Sequence, residues 1–342
     1  MGETMYTAVV IGCGRIGSLY DTGQPSDPLT HAGAYAAHDR VKLIAGVDPD
    51  EGRRKDFAAR WGVPAYAALE EMLSQFSPDL WSICTEASSH FGLVKKAINA
   101  GARGIWCEKP LASSLEEAVG IQTACAQARV PLLINHSRRF DKCHQDLARR
   151  LRAGEWGHVE RVVIHYVRGI SNYGSHAFDL LRFLLTDDID WISAWDDLRE
   201  LVPDPSLTVR GRTCQGVFFS LLPINRSLYD CLEVDVWASC GRLTVTHLGK
   251  GIRQYRVGPS PYWDEPTELL EAPGQFLPGM QGLALQALSN LIAHMETGAP
   301  LLSSCQDGVA AVAAVSAARC STERHGEPVE IRKLLSEIGA AV

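Results

Sequence analysis

Glu108, Lys109 and Pro110 close an apolar run, Gly104-Ile105-Trp106-Cys107, and a helix-like segment follows them. A buried parallel strand delivers charged residues to the crevice at its carboxyl end in this way, so Lys109 is the first residue placed to do chemistry. Taken alone, the commoner reading is a solvated Glu-Lys pair at a strand end, with Pro110 starting a helix. The neighbouring motifs decide between the two.

Two of those motifs lie near the N-terminus. The strand-like run Thr7-Ala8-Val9-Val10-Ile11 leads at once into Gly12-Cys13-Gly14-Arg15-Ile16-Gly17. Glycines at this spacing after a first strand permit a tight turn and let a pyrophosphate approach a helix N-terminus. Gly12, Gly14, Arg15, Ile16 and Gly17 are therefore expected to bind a dinucleotide, the alternative being a glycine-rich turn with no ligand. A second strand, Val41 to Val47, ends on Asp48, whose carboxylate would accept hydrogen bonds from the adenosine ribose hydroxyls or, failing that, cap the next helix. Pro49 stands where an arginine or serine would hold a 2'-phosphate, which favours NAD over NADP, while Arg53 and Arg54 keep NADP open. Asp48 lies 31 residues beyond Gly17, against about 20 in the usual fingerprint. The excess is Tyr20 to Thr30, rich in Gly, Pro, Ser and Asp, and reads as an inserted loop that folds over the cofactor or substrate.

The elements that must position these residues alternate strand and helix. A third apolar run spans Asp79 to Thr85, and Phe91 to Ala100 has helical spacing ended by Gly101. The Gly104 to Cys107 strand, a helix over Leu115 to Gln127 and a strand over Val130 to Asn135 complete a doubly wound parallel sheet with Lys109 on its cofactor-binding edge. A helical segment over Asp141 to Ala153, stopped by Gly154, opens a second domain, so the boundary is set between 136 and 137. Val159 to Val167, Gly216 to Leu222, Cys231 to Ala238 and Arg242 to Leu248 read as strands, and Gly282 to Thr297 and Asp307 to Arg324 as helices. The fold class is α/β: a nucleotide-binding domain over 1–136 and a sheet-rich α+β domain over 137–342.

At 342 residues the chain is long enough for two domains, at roughly 150 residues each. With 46% hydrophobic and 21% charged residues and a formal net charge of -7, it has no basic footprint for nucleic acid or an anionic membrane, and a small molecule is the expected partner. Ten cysteines are scattered without a Cys-x-x-Cys pair, several of them in apolar runs, as for buried thiols in a reducing compartment. The N-terminal residues lack a basic n-region and a long apolar run, so a cytoplasmic location is expected, and no metal is expected.

The Gly12-x-Gly14-x-x-Gly17 turn, Asp48, the Thr85 to His90 segment, Glu108-Lys109-Pro110 and Gly174-Ser175-His176-Ala177-Phe178-Asp179 together resemble the glucose-fructose oxidoreductase / inositol dehydrogenase / MocA family, over nearly the whole chain. The resemblance implies a Rossmann domain carrying NAD or NADP, then an α+β domain whose large, mostly antiparallel sheet holds the substrate and joins subunits into a homodimer or homotetramer. It adds Thr85, His90, Glu108 and Lys109 to the cofactor contacts, though His90 reads more readily as a structural histidine. It also makes Lys109 the donor to the reacting oxygen, at an ordinary ammonium pKa of about 10.4 that a nearby nicotinamide would lower. His176 would be the acid or base, an imidazole of ordinary pKa about 6.5 at a helix start. Asp179, one turn on, either contacts substrate and orients His176 or is a helix-start carboxylate stabilised by the dipole. Arg168 and Tyr173 complete the expected substrate contacts, with Arg168 able to meet a carboxylate or phosphate and Tyr173 or Tyr166 near the proton path.

Two positions depart from the family pattern. Asn172 occupies the place of an aspartate four residues before the motif histidine, so it can orient a hydroxyl or carbonyl but take no proton, or it is simply a turn residue. Glu86 follows Thr85 where proline is common. The implied reaction is hydride transfer between nicotinamide and a secondary alcohol or ketone of a sugar, polyol or nucleotide sugar. Two alternatives stay open: an enzyme of this fold with no net redox change, such as an NAD-recycling glycosidase, lyase or epimerase, and a regulatory binding protein whose catalysis has lapsed.

Overall fold

The computed structural model describes residues 4–21, 26–264, 267–272 and 277–339. It divides into two compact units, 1–140 with 281–309 and 141–280 with 310–342.

In the first unit, six parallel strands run in the order β3-β2-β1-β4-β5-β6, where β1 is Tyr6–Ile11, β2 Val41–Val47, β3 Ala65–Tyr66, β4 Leu80–Ile83, β5 Gly104–Cys107 and β6 Leu132–Ile134. The sequence reversal between β1 and β4 is the switch point at which a doubly wound sheet opens a crevice. Both faces are covered, which is why the strands read as uninterrupted apolar runs: Val9, Val10, Ile83, Ile105, Trp106 and Ile134 are fully buried. Connecting helices are α1 (His31–Ala37), α2 (Glu51–Trp61), α3 (Leu69–Leu73), α4 (Ala87–Asn99) and α5 (Leu115–Ala128).

The expected single cut between 136 and 137 is corrected in this unit. The helix Leu283–Thr297 belongs to it, because Ala284, Ala287, Leu288, Leu291 and Ile292 form one buried cluster with Tyr6, Leu80, Trp106 and Leu133. Its fit is close: a Cβ on Gly104 would lie 2.7 Å from the Met295 sulfur. An amphipathic helix goes to whichever apolar face it matches, regardless of its distance along the chain.

The second unit holds a ten-stranded sheet. Its members are β7 (Val159–Tyr166), β8 (Ile189–Trp195), β9 (Thr208–Thr213), β10 (Phe218–Pro223), β11 (Leu232–Ala238), β12 (Gly241–Thr246), β13 (Gly251–Pro259), β14 (Thr267–Glu271), β15 (Leu277–Pro278) and β16 (Val329–Glu330). The order is β14-β13-β12-β11-β7-β10-β9-β8-β16, with β15 beside β13, and β7 pairs with β10 in parallel and with β11 antiparallel. Alternation fixes the two faces: Val162, Ile164 and Tyr166 are buried, whereas Arg161, on the opposite face of β7, is exposed. The helices α6 (Lys142–Arg152) and α7 (Ser175–Leu185) pack together, and α7 buries Phe178, Leu181 and Leu184. Among the described residues no helix is long and apolar enough to cross a membrane.

Candidate active site

The glycine turn after β1 has the geometry its sequence calls for. Gly12 adopts φ +91°, and a Cβ there would lie 2.6 Å from the Cys84 carbonyl oxygen. A Cβ on Gly17 would lie 2.0 Å from the Gly12 oxygen, so the turn closes on itself only with glycine at both ends. Gly14 is different: its φ is -75°, and a Cβ would meet nothing nearer than the Arg53 guanidinium at 3.9 Å. The turn therefore presents bare backbone at its middle, and a single π-helical turn, Arg15–Leu19, follows it. These features fit the pyrophosphate of a dinucleotide.

Asp48 ends β2 almost fully buried. Its Oδ2 accepts from the Cys13 amide at 2.9 Å and its Oδ1 from the Asp50 amide at 2.9 Å, which ties β2 to the glycine turn and leaves lone pairs for a diol. Helix capping is performed by Asp50, whose side chain accepts from the Arg53 amide, so Asp48 is not the cap. The two arginines have separate duties. Arg54 donates to the carbonyls of Asp48 and Pro49, while Arg53 stands 3.7 Å from Asp48 with about half its side chain exposed.

The chain then makes the excursion expected between Tyr20 and Thr30, of which 22–25 lie outside the described residues, so its expected cover over a ligand is not part of the described structure. Its base is clasped by Asp21, whose carboxylate accepts from the amides of Leu29 and Thr30 and from the Thr30 hydroxyl at 2.6 Å. Thr30 caps α1, which delivers His31 into the core.

Glu108 and Lys109 end β5 on the same carboxyl edge as the glycine turn, and the Lys109–Pro110 peptide is cis, with the next helix beginning only at Leu115. Glu108 is buried. Its Oε1 accepts from Asn135 at 2.5 Å and faces His31 Nε2 at 3.1 Å, and its Oε2 accepts from the Lys109 amide at 3.2 Å. Burial works against the charged carboxylate, but the hydrogen bonds and charge of His31, the Asn135 amide and the Lys109 charge outweigh it and hold Glu108 below its ordinary range. The stability this gives is present above the ordinary carboxylate pKa and is lost as the pH falls through the lowered one.

Thr85 and His90 sit beside this edge. The Thr85 hydroxyl bonds Ser89 at 2.6 Å, and Glu86 occupies the N-cap position of α4 without a side-chain cap bond. His90, named as a cofactor contact but read more readily as structural, is a buried link: fully enclosed, its ring nitrogens face the carbonyls of Leu111 and Thr85 at 3.1 and 3.0 Å. All ten cysteines are free thiols, and those beside the site are protonated at neutral pH, because burial pushes Cys13 up to about 12 and Cys84 and Cys107 well above the ordinary thiol range. Among the described residues no group of three His, Cys, Asp or Glu side chains is arranged to hold a metal ion.

In the second unit, a π-helical turn, Ile170–Gly174, leads into α7 and carries Asn172 and Tyr173, with His176 in the first turn of the helix. Asn172 is exposed, Tyr173 and His176 are half-buried, and their rings meet edge to face at 6.4 Å. Asp179 is buried behind them. Arg168, in the left-handed region at φ +63°, places its guanidinium 6.0 Å from the Tyr173 ring and forks onto Asp230, with Nη2 at 2.9 Å, so its expected anion partner is met within the protein by a carboxylate. Tyr166, expected near the proton path, is fully buried: its hydroxyl donates to the Leu207 carbonyl and accepts from the Leu207 amide, both at 2.7 Å, and burial raises its pKa.

The residue that sequence reasoning missed here is Asp204. Its carboxylate accepts from the amides of Ser171 and Asn172 and from Arg319 at 3.0 Å, and it fills the space where a Gly169 Cβ would stand. Arg319 also donates to the Ser171 hydroxyl. Nothing in the local sequence marks an aspartate 32 positions past Asn172 as its support.

Against known proteins, the family described as "Oxidoreductase family, NAD-binding Rossmann fold" matches residues 6–136. A D-apiose dehydrogenase of Paraburkholderia graminis is 25% identical, with 98% of this chain and 92% of that protein covered. A myo-inositol 2-dehydrogenase of Thermotoga maritima is 27% identical over 54% of this chain and 56% of its own length, so the match spans about half of that relative. The crystal structure of an inositol dehydrogenase homolog from Azotobacter vinelandii, complexed with NADH and myo-inositol, superposes with a TM-score of 0.77 at 17% identity, covering 96% of this chain and 98% of that one, a likeness of fold.

Proposed function

We propose, from the premise that the chain belongs to the glucose-fructose oxidoreductase / inositol dehydrogenase / MocA family of NAD-dependent oxidoreductases, that it oxidises a secondary alcohol of a sugar, polyol or nucleotide sugar, or reduces the matching ketone. The observation that carries this reading is the carboxyl edge of the first unit's sheet, where the bare glycine turn, Asp48 and Lys109 stand at the ends of β1, β2 and β5. Gly12 to Gly17 would hold the pyrophosphate and Asp48 the adenosine ribose, with Arg53 beside it. Bound NAD supplies the hydride acceptor at its nicotinamide.

The chain's own groups do the rest. Lys109 donates a hydrogen bond to the substrate oxygen and stabilises the negative charge that grows there as hydride leaves. In the second unit, His176 is the residue assigned to take a hydroxyl proton, or to return one in the reverse direction, and Asn172 the one to orient a hydroxyl or carbonyl without titrating. Tyr173 packs edge to face on His176. A screen of sugars, inositols and nucleotide sugars with NAD, followed at 340 nm as NADH absorbance, tests the reading; product formed from a sugar without net NADH would replace it with a hydride-recycling lyase or glycosidase, and tight NAD binding without any turnover would replace it with a regulator.

Asp204 offers a second check on the substrate side. With Asp204→Ala the Ser171 and Asn172 amides lose this acceptor and Arg319 its carboxylate contact, while its bond to the Ser171 hydroxyl stays, at about 0.5–1.5 kcal/mol for each hydrogen bond lost. The expected result is a KM for substrate raised at least fivefold with NADH affinity within about twofold of wild type, and an unchanged KM would count against placing Asn172 at the substrate. Oligomerisation is assigned to the open face of the large sheet, where Phe218 and Trp237 are 44% and 39% exposed and flank Arg161 in one cross-strand row. Light scattering on Trp237→Glu should then report a smaller assembly than wild type.

A further inference from the structure

We infer that His31 is a positioning residue for Lys109, acting through Glu108, and that the Asp21–Thr30 clasp ahead of α1 holds it in place. The inference rests on the reading of Lys109 as the group that meets the reacting oxygen.

Glu108 is a buried carboxylate one residue from Lys109, and it is held from three elements: Asn135 from the end of β6, His31 from the start of α1, and the Lys109 amide from its own chain. A buried carboxylate keeps its charge and direction only while such donors face it. His31 is itself held on several sides. Its ring stacks on the Trp106 indole with centroids 3.6 Å apart at 26°, and its Nδ1 meets the Ser82 hydroxyl at 2.8 Å, which itself bonds the Tyr35 hydroxyl at 2.7 Å. His31, Ser82, Tyr35 and Trp106 are all essentially inaccessible to solvent. An imidazole fixed on both nitrogens and one face presents Nε2 to a single point, and that point is Glu108 Oε1.

The clasp upstream explains how the residue arrives there. Asp21, Leu29 and Thr30 close the excursion immediately before α1, and Gly33 packs against Asp21 so closely that a Cβ would lie 2.2 Å from its Oδ2. Beyond this clasp α1 begins as a helix start capped by Thr30, with His31 as its first residue. The line of support runs from Asp21 through Thr30 and His31 to Glu108 and the Lys109 amide. Such an outer layer sets a reacting group to within a fraction of an ångström without touching substrate.

Three variants test this: His31→Leu, which keeps apolar bulk beside Trp106; His31→Gln, which keeps an N–H for Glu108; and Ser82→Ala, which only unties Nδ1. The first readout needs no substrate. Amide hydrogen exchange followed by mass spectrometry should show the protection of the Lys109 peptide bond falling at least tenfold in His31→Leu, less in Ser82→Ala, and largely recovered in His31→Gln, with the β1 and β2 amides unchanged. The second is kinetic: kcat should fall about tenfold in His31→Leu while NADH affinity stays within twofold, and His31→Gln should recover most of it. Unchanged exchange at Lys109, in His31→Leu or, if that variant does not fold, in Ser82→Ala, overturns the inference, as does a His31→Gln variant no better than His31→Leu. Altered exchange in a protein that turns over no sugar would leave the positioning intact and remove the catalytic reading of Lys109 instead.

Discussion

Replacing Lys109 with alanine is expected to lower kcat at least 10²-fold on the enzyme's own substrate, with NADH affinity reduced far less. Hydride can leave a carbinol carbon only as charge accumulates on its oxygen, and a donor aimed at that oxygen lowers the barrier more than it tightens ground-state binding. Lys109 is half-buried at the end of β5, where its backbone amide is held by Glu108 and its Cα is followed by the cis peptide to Pro110. Truncation removes the ammonium and leaves those backbone contacts in place, so the melting temperature should move little and lost turnover would not reflect lost fold. Stopped-flow single turnovers separate the steps: the hydride step should slow by the same factor as kcat, and added small primary amines should restore part of it. Turnover within tenfold of wild type would remove Lys109 from the reaction.

How much of this site is legible in the chain depends on how local each signal is. Glu108-Lys109 stands out because a parallel strand buried on both faces is apolar without interruption, so the first charges after it mark its carboxyl end. The glycine turn is legible for a similar reason, since its constraint, a Gly17 Cβ that would strike the Gly12 oxygen, acts between residues five apart. Asp48 is half legible: its place at the end of β2 is readable, whereas its exclusion as a helix cap depends on Asp50 taking that duty two residues later. Contacts made across the fold leave no such trace. Asp204 and Asp230 read as ordinary loop carboxylates until the structure sets them against Asn172 and Arg168. His31 is hidden by the excursion that separates it from the glycine turn, and Tyr166 alternates with Ile164 on a strand so regularly that its sequence gives no hint that Leu207 closes off its hydroxyl.

The helix Leu283–Thr297 shows the same limit at the level of architecture. Its periodicity announces a helix with one apolar face, but nothing within it names the sheet that face will cover. Proximity along the chain favours the second half, and the match to Tyr6, Leu80 and Trp106 decides for the first. A chain position fixes what a segment can become; partners far away fix where it goes.

Gly17→Ala and Gly14→Ala should separate the two duties of the glycine turn, with the larger effect at Gly17. A Cβ at Gly17 has no room, because the atom it meets at 2.0 Å is a backbone oxygen that cannot rotate aside. Relieving the overlap means opening the turn between β1 and the helix start, at an overpacking cost of about 1–3 kcal/mol and with the amides proposed to meet the pyrophosphate displaced. Gly17→Ala should therefore lower the melting temperature by several degrees and abolish measurable NADH binding in a fluorescence titration. At Gly14 the backbone angles suit any residue and the Cβ points into open space beside Arg53. Gly14→Ala should melt within about one degree of wild type, a change too small for a 1 kcal/mol loss, yet bind NADH at least about tenfold more weakly, since charge-assisted bonds from backbone to phosphate are worth about 1.5–3 kcal/mol and a methyl group holds the phosphate away from them. Equal NADH affinity in Gly14→Ala and wild type would mean that the bare middle of the turn does not face the pyrophosphate, and the cofactor would have to lie along the edge nearer Asp48 and Arg53.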